Sequence, residues 1–255
     1  MTIKSESEIA KIKASAHIVH ETIEFLRPLI QAGVTTKELN DKAETFIVGF
    51  DARPAFKNYT VGNLTYKYAT CMSKNSAVVH GMPNDEALRD GDIISVDVGV
   101  EKDGWFGDGA YTFAVGEVKP EIQKLLKVTQ ESLQLGVAAA KSGNRLYDIS
   151  KAIQDHCQSN GFSIVRDLVG HGIGEHLHEE PQVPNYVPSR IERGFKNIEL
   201  KEGMTIAIEP MVNLGGWKVR TLSDGWTVVA ADGKPSAHFE HTVVIRPFGG
   251  EILTA

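Results

Sequence analysis

Four carboxylates lie inside four apolar stretches whose residues alternate as they do in β-strands. They are Asp97, Asp108, Glu209 and Glu240. Acidic residues are poor strand formers, so four of them in such stretches are hard to explain as ordinary solvent-exposed residues. Carboxylates grouped with an imidazole suit divalent ions such as Mn, Fe(II) or Co, and four carry enough charge for two ions. Metal pairs ~3.5–4 Å apart are typical of hydrolases, including aminopeptidases.

The first two acids lie in residues 93–113, with the sequence IISVDVGVEKDGWFGDGAYTF. The pair Asp103-Gly104 is a strong signal for a two-residue turn, so this segment is predicted to form a β-hairpin. With these two residues at the centre of the turn, Lys102 pairs with Trp105. All other pairs of opposite residues in the hairpin follow from that register.

In this register Asp97 faces Ala110, and Asp108 lies diagonally from Asp97 on the same face. Diagonal neighbours have Cα atoms ~7–8 Å apart. Two carboxylates this close repel each other unless a positive charge lies between them, and a cation is the simplest remedy. The alternative is two surface aspartates on a solvated face, and the hairpin by itself does not distinguish the two.

A glycine-rich segment at residues 169–181, VGHGIGEHLHEEP, contains three histidines. They are His171, His176 and His178, and their spacing does not show which of them binds a metal. The segment has no HExxH pattern, so it is not a zincin helix. His176 is interpreted as an ordinary histidine, and so is His241, which faces away from Glu240 by strand parity.

Helices and strands that carry these residues are predicted from periodicity and capping patterns. Capping boxes begin two helices after Ser5 and Thr35, a third begins at Pro120, and a fourth runs from Leu146 to Asn160. The two later acids lie in two further strands, predicted as continuous over Met204–Val212 and Ala237–Ile245. Helices precede acid-bearing strands in both halves of the chain, which suggests a symmetry that no sequence repeat supports.

The composition is that of an ordinary globular chain. Its 255 residues fit one large domain or two small ones. The net charge of −6 without a basic run argues against nucleic acid as the main partner. Cys71 and Cys157 form no CxxC pattern, which suits a reducing compartment. No signal sequence or membrane-spanning stretch is visible, so the cytoplasm is the predicted location and no membrane partner is expected.

Seven short motifs occur in one order between residues 80 and 245. They are HGxP from His80, DVGV…DGW…D with Asp97 and Asp108, GHGIG with His171, HEEP from His178, IEPM with Glu209, DGWT with Trp226 and FEHT with Glu240. In this set and order the chain resembles the type I methionine aminopeptidases of peptidase family M24. Type II relatives carry a long insertion between the positions of His178 and Glu209, where this chain has only 30 residues.

The resemblance implies an α+β pita-bread fold, a curved antiparallel β-sheet backed by helices with pseudo-twofold symmetry. Residues 1–255 would form a single metallo-aminopeptidase catalytic domain. Two divalent ions (Co, Mn, Fe(II), Zn or Ni) are implied, held by Asp97, Asp108, His171, Glu209 and Glu240. Asp97 would chelate one ion, with Asp108 and Glu240 bridging both. His171 and Glu209 would complete the second site.

The activity implied by the resemblance is removal of the initiator methionine from new chains and peptides with a small second residue. A hydroxide bridging the metals would attack the carbonyl carbon after the N-terminal residue. Glu209 would also serve as a general base. His178 would hydrogen-bond the carbonyl or the tetrahedral intermediate, and His80 would lie near the scissile amide nitrogen. Both histidines would therefore contact the substrate.

The methionine side chain would occupy a pocket of apolar and soft residues, which suit a thioether. The pocket residues would be Tyr66, Cys71, Met211, Trp226, Leu177 and His238. Ordinary core packing explains each of them equally well. The chain departs from the family at Asn63, Val79, Glu175, Leu177 and His238, where the family commonly has tyrosine, cysteine, arginine, an aromatic residue and glutamine. These departures bear on pocket shape and leave the metal ligands intact.

Two other functions fit parts of the pattern. A pita-bread hydrolase of Xaa-Pro bonds usually has a large extra N-terminal domain, for which the residues before His80 leave no room. A non-catalytic binding module on the same fold would have lost metal ligands, and this chain keeps all five. We further expect a monomer that meets nascent chains at the ribosome. The resemblance also implies a monovalent cation on backbone carbonyls near Asn75, Ala77 and Ser236.

Overall fold

The computed structural model describes residues 2–189 and 194–255. Residues 1 and 190–193, which belong to the predicted domain of residues 1–255, lie outside the described residues. The described helices are α1 (Glu6–Leu26), α2 (Thr36–Val48), α3 (Pro120–Ala139) and α4 (Leu146–Ser159), with a short 3-10 helix at Arg27–Leu29. No helix in these residues is long and apolar enough to span a membrane.

Seventeen strands are found in the described residues. They are β1 (Arg53–Pro54), β2 (Thr60–Val61), β3 (Leu64–Thr65), β4 (Thr70–Lys74), β5 (Ala77–Val79), β6 (Ile93–Lys102), β7 (Trp105–Ala114), β8 (Ser163–Ile164), β9 (Gly170–Gly172), β10 (Glu179–Val183), β11 (Thr205–Ile208), β12 (Met211–Asn213), β13 (Val219–Thr221), β14 (Val228–Ala230), β15 (Ser236–His238), β16 (Glu240–Arg246) and β17 (Gly249–Ile252). The main sheet has the order β1-β6-β7-β16-β11-β9-β10, with β4 on β6 and β17 on β16. Its strand pairs are antiparallel.

The predicted helix starts are confirmed, including both capping boxes. The hydroxyl of Ser5 accepts a hydrogen bond from the backbone N–H of Glu8 at 3.4 Å. The hydroxyl of Thr35 accepts one from Glu38 at 3.1 Å. In each box the glutamate reaches back to the backbone N–H of the capping residue, so two otherwise unpaired donors are satisfied.

The predicted hairpin is confirmed in its register. Lys102 lies opposite Trp105, and Asp97 lies opposite Ala110. Asp103 and Gly104 have φ angles of 53° and 80°. Positive φ at both central residues is the requirement of a type I′ turn, which matches the right-handed twist of the two strands.

The two later strands are not continuous, so that prediction was wrong. β11 in the main sheet ends at Ile208, and β12 begins at Met211 in a smaller sheet with β15 and β8. Pro210 lies in the break and has no backbone N–H to continue a ladder. The segment that pairs with β11 and β12 is divided in the same way, into β15 and β16. Ile208 faces His241 on one side of the break.

The two helix pairs cover one face of the main sheet. α1 and α2 share a buried core with the apolar face of β6, which includes Val96 and Val98. α3 and α4 share another with β11 and β16, which includes Ile206 and Val243. Successive residues of a strand alternate between its faces, so Asp97 lies on the face of β6 away from the helices. This arrangement is the predicted α+β class, with one helix pair behind each half of the sheet.

Candidate metal centre

Adjacent strands of the main sheet bring the four predicted acids together. β7 lies between β6 and β16, so Asp97 and Glu240 approach Ala110 from its two sides. Asp108 precedes Ala110 by two residues and shares its face. Glu209 lies in the break after β11, beside the start of β16. All four acids line one cavity of about 570 Å³.

His171 of β9 completes the group at the floor of this cavity. Its Nε2 lies 3.9 Å from Oδ2 of Asp108 and 3.7 Å from Oε1 of Glu209. Ligating atoms of Asp108, His171 and Glu240 all lie within 4.8 Å of one another. These separations are too long for hydrogen bonds. Donors that share an ion at ~2.1 Å lie roughly 3 to 4 Å apart, depending on the angle between them.

The ring of His171 is set in the tautomer that a metal ligand needs. Its Nδ1–H donates to the carbonyl of Gly172 at 2.9 Å. Burial lowers the pKa of His171 to about 3, so the imidazole is neutral at pH 7. The Nε2 lone pair therefore points toward the carboxylates and is free to bind a cation.

The charges of the site fit divalent cations. Burial raises the pKa of Asp97 to about 7 and that of Glu209 to about 8. Burial and the neighbouring carboxylates raise the pKa values of Asp108 and Glu240 well above their usual range. Oδ1 of Asp97 and Oε1 of Glu240 are buried without a hydrogen-bond partner. No lysine or arginine lines the cavity among the described residues, so a bound cation is the remedy that matches these oxygens.

Two threonine hydroxyls hold the backbone of the site. Thr242 accepts a hydrogen bond from the N–H of Asp108 at 3.0 Å and donates to its carbonyl at 2.8 Å. Thr112 does the same for His238, at 2.9 Å and 2.7 Å. The sequence analysis assigned no role to either threonine. The sequence did contain a signal for them. Each threonine lies an even number of residues from an acid of the same strand, so the two side chains share one face of the sheet.

The two histidines predicted to act on the substrate lie at this cavity. His80 has a φ of 57°, a conformation that is uncommon outside glycine. Burial, with the imidazoles of His238 and His178 nearby, lowers the pKa of His80 to about 4. The ring of His178 lies 4.4 Å from that of His171. Both predicted histidines therefore line the same cavity as the candidate metal ligands.

A tyrosine that the sequence analysis missed supports one of these histidines. The hydroxyl of Tyr59 lies 2.9 Å from Nδ1 of His178. Tyr59 also lines the cavity, as do Phe56 and Leu168, which were missed as well. Sequence offered no signal for the Tyr59 contact, because 119 positions separate the two residues.

Most of the predicted pocket residues line the cavity. They are Tyr66, Cys71, Leu177, Met211 and Trp226. The rings of Tyr66 and Trp226 meet edge to face at 5.3 Å. The Tyr66 hydroxyl is within 3.1 Å of the carbonyls of Thr70 and Gly81, which holds its ring in place.

The other histidines lie elsewhere. His238, predicted in the pocket, is not among the described residues that line the cavity, and its ring lies beside Glu209 and Glu240. His176 is exposed and does not line the cavity. Nδ1 of His241 lies 2.9 Å from the hydroxyl of Thr254.

A buried set of carboxylates with an imidazole, lining one cavity on this fold, is a candidate metal centre. Residues 10–247 match the model of Metallopeptidase family M24. The chain belongs to this family, and it is therefore a hydrolase of peptide bonds.

Methionine aminopeptidases are among the proteins to which the chain is similar. Methionine aminopeptidases of Borreliella burgdorferi and Clostridium perfringens are 51% and 48% identical to it. The alignments cover 96% and 99% of this chain, and 94% and 98% of those proteins. The crystal structure of methionine aminopeptidase from Rickettsia prowazekii matches with a TM-score of 0.94, at 37% identity and full coverage of both chains. The predicted resemblance and the predicted pita-bread fold are confirmed.

Proposed function

We propose that this metallopeptidase removes the N-terminal methionine from peptides and nascent chains whose second residue is small. The observation that carries the proposal is the cavity itself. It is lined by the five predicted metal ligands and by the soft and apolar side chains of Tyr66, Cys71, Met211 and Trp226. Such a wall suits a thioether side chain. The names of the relatives support the same substrate.

The five clustered side chains are proposed to hold two divalent ions. Asp97 would serve one ion, and His171 and Glu209 the other, with Asp108 and Glu240 serving both. Co, Mn, Fe(II), Zn and Ni all accept this donor set of carboxylates and imidazole. A bound ion supplies a Lewis acid and lowers the pKa of water.

The remaining chemistry falls to side chains along the cavity. Glu209 is proposed to accept the proton of the attacking water and to pass it toward the amide nitrogen of the leaving peptide. His178 would donate a hydrogen bond to the scissile carbonyl as negative charge develops on its oxygen. His80 is neutral at pH 7, since its pKa is about 4, and would hydrogen-bond the departing nitrogen.

We also propose the setting in which the protein acts. Residues 1–255 would form one catalytic domain, active as a monomer in the cytoplasm on chains emerging from the ribosome. The buried free thiols of Cys71 and Cys157 suit a reducing compartment. A monovalent cation on backbone carbonyls near Asn75, Ala77 and Ser236 is part of the same proposal.

Release of the first residue from synthetic tripeptides tests this function. Metal-stripped protein, with Mn, Fe(II), Co, Ni or Zn added back, is expected to release methionine from Met-Ala-Ser and to leave Ala-Pro-Ala intact. Cleavage of Ala-Pro-Ala instead would indicate an Xaa-Pro hydrolase. If no peptide is cleaved with any metal although the metal binds, the chain is a binding module and the proposed activity is wrong.

Tyr59→Phe should lower kcat/KM for Met-Ala-Ser by about 3- to 10-fold, because a hydrogen bond of this kind contributes ~0.5–1.5 kcal/mol. The phenylalanine keeps the aromatic wall of the cavity but loses the hydroxyl that touches Nδ1 of His178. Steady-state kinetics measure the change. Tyr68→Phe is the matched control, since Tyr68 does not line the cavity. Equal kinetics of both variants would show that the Tyr59 hydroxyl does not position His178.

A further inference from the structure

His238 is a buried imidazole whose ring nitrogens have no hydrogen-bond partner. It ends β15, is 1% exposed, and both Nδ1 and Nε2 are among the unpaired buried atoms of the described chain. Buried polar groups are nearly always paired, so an unpaired ring needs a physical explanation.

The ring of His238 faces the carboxylates of the metal centre. Its Nε2 lies 3.6 Å from Oε2 of Glu209 and 3.9 Å from Oε2 of Glu240. The predicted ligand His171 has nearly the same spacing, at 3.7 Å from Glu209 and 3.9 Å from Asp108. Glu209 thus lies between two imidazoles, with Oε1 toward His171 and Oε2 toward His238.

These distances exclude a direct hydrogen bond but match a shared ion. A contact of 3.6 Å is beyond hydrogen-bonding range. Donors bound to one ion at ~2.1 Å lie roughly 3 to 4 Å apart. Nε2 of His238 lies as close to two carboxylate oxygens as Nε2 of His171 does.

The backbone holds His238 in this position. Thr112 clamps its N–H and carbonyl, and Met211 faces it across the ladder between β12 and β15. Met211 lines the cavity, whereas His238 is not among the described lining residues. The ring of His238 is therefore held beside Glu209 and Glu240.

We propose that Nε2 of His238 is a sixth protein donor to the metal centre, on the side of Glu209 and Glu240. This proposal rests on the proposed metal site and deepens it. A second imidazole moves the donor set toward Zn, Co, Ni and Fe(II), and away from Mn, which prefers oxygen ligands. The variant His238→Gln would offer only an amide at this position, so it should lose this preference.

The test compares metal binding by the wild-type chain, His238→Gln and the control His241→Gln. Titration calorimetry with Co(II), Zn(II) or Mn(II) added to stripped protein gives the affinities. His238→Gln should weaken Co(II) and Zn(II) binding by about 10- to 100-fold, the range for residues that support a metal site. Mn(II) binding should change less. His241→Gln should behave as the wild type, because its ring contacts Thr254.

A second measurement observes the metal-bound rings directly. In Co(II)-loaded wild-type protein labelled with ¹⁵N at histidine, two histidines should show the large hyperfine shifts of metal-bonded rings. His238→Gln should remove one set and leave the set of His171.

The outcomes separate the two proposals. A single metal-bonded histidine in the wild type, or unchanged Co(II) and Zn(II) affinity in His238→Gln, overturns the proposal for His238 and leaves the metallopeptidase centre intact. Failure of the wild type to bind any of these metals overturns the proposed metal site, and with it the role of His238.

Discussion

Asp108→Ala is expected to lower kcat/KM for metal-dependent release of methionine from Met-Ala-Ser by about 10³-fold, since a metal centre contributes several kcal/mol of transition-state stabilisation. The reason is its position. Asp108 shares the sheet face of Ala110, on which Asp97 and Glu240 converge, and its carboxylate lies 3.9 Å from Nε2 of His171. Among the described residues, no other acid on β7 lies close both to these acids and to His171.

Steady-state kinetics with each added metal measure this loss. Asp155→Ala is the matched control, because Asp155 lies on the exposed surface of α4 and forms an ion pair with Lys151. Circular dichroism should show that Asp108→Ala still folds, since the Thr242 clamp holds the backbone of residue 108 and not its side chain. A folded Asp108→Ala protein with wild-type kinetics would show that this acid does not serve the metal centre.

Metal removal should reverse the usual dependence of stability on pH. In the folded chain without metal, the pKa of Asp97 is about 7 and that of Glu209 about 8, against ordinary values of 3.8 and 4.5. A raised pKa means that the folded chain binds protons that the unfolded chain has released. The stabilisation from these groups is therefore complete below pH ~4 and is lost as the pH rises through 7 to 8.

We thus expect chelated protein to become more stable when the pH falls from 8.5 to 6.5. Metal should add about 2.7 kcal/mol to the free energy of unfolding at a concentration 100 times its Kd. Urea denaturation at several pH values, with chelator or with metal, measures both effects. Glu209→Gln should flatten the pH dependence of the chelated protein, whereas Asp155→Ala should not. Chelated wild-type protein that loses stability over this pH interval would contradict the prediction.

Local features could be read from the sequence alone. The turn at Asp103-Gly104 determined the register of β6 and β7, and with it the placement of Asp97 opposite Ala110. The capping boxes after Ser5 and Thr35 determined where two helices begin. These features depend on residues a few positions apart, whose geometry is set by the local backbone. The acids themselves were found because carboxylates are out of place in apolar strands.

The predicted site was less complete where strands change sheets. Periodicity predicted one strand over Met204–Val212, but the chain leaves the main sheet at Glu209 and Pro210. An alternation of apolar residues continues across such a break, so periodicity does not reveal it. The break places Glu209 beside Glu240, between two imidazoles.

The chain alone therefore determined the residue types of the metal centre, its hairpin and its family. Only the tertiary structure decided which distant side chains meet. It placed the hydroxyl of Tyr59 beside His178 and the ring of His238 beside Glu209. Such contacts depend on the pairing of strands and loops that are far apart in the chain. The residues next to a side chain in the sequence therefore do not reveal its partners in the fold.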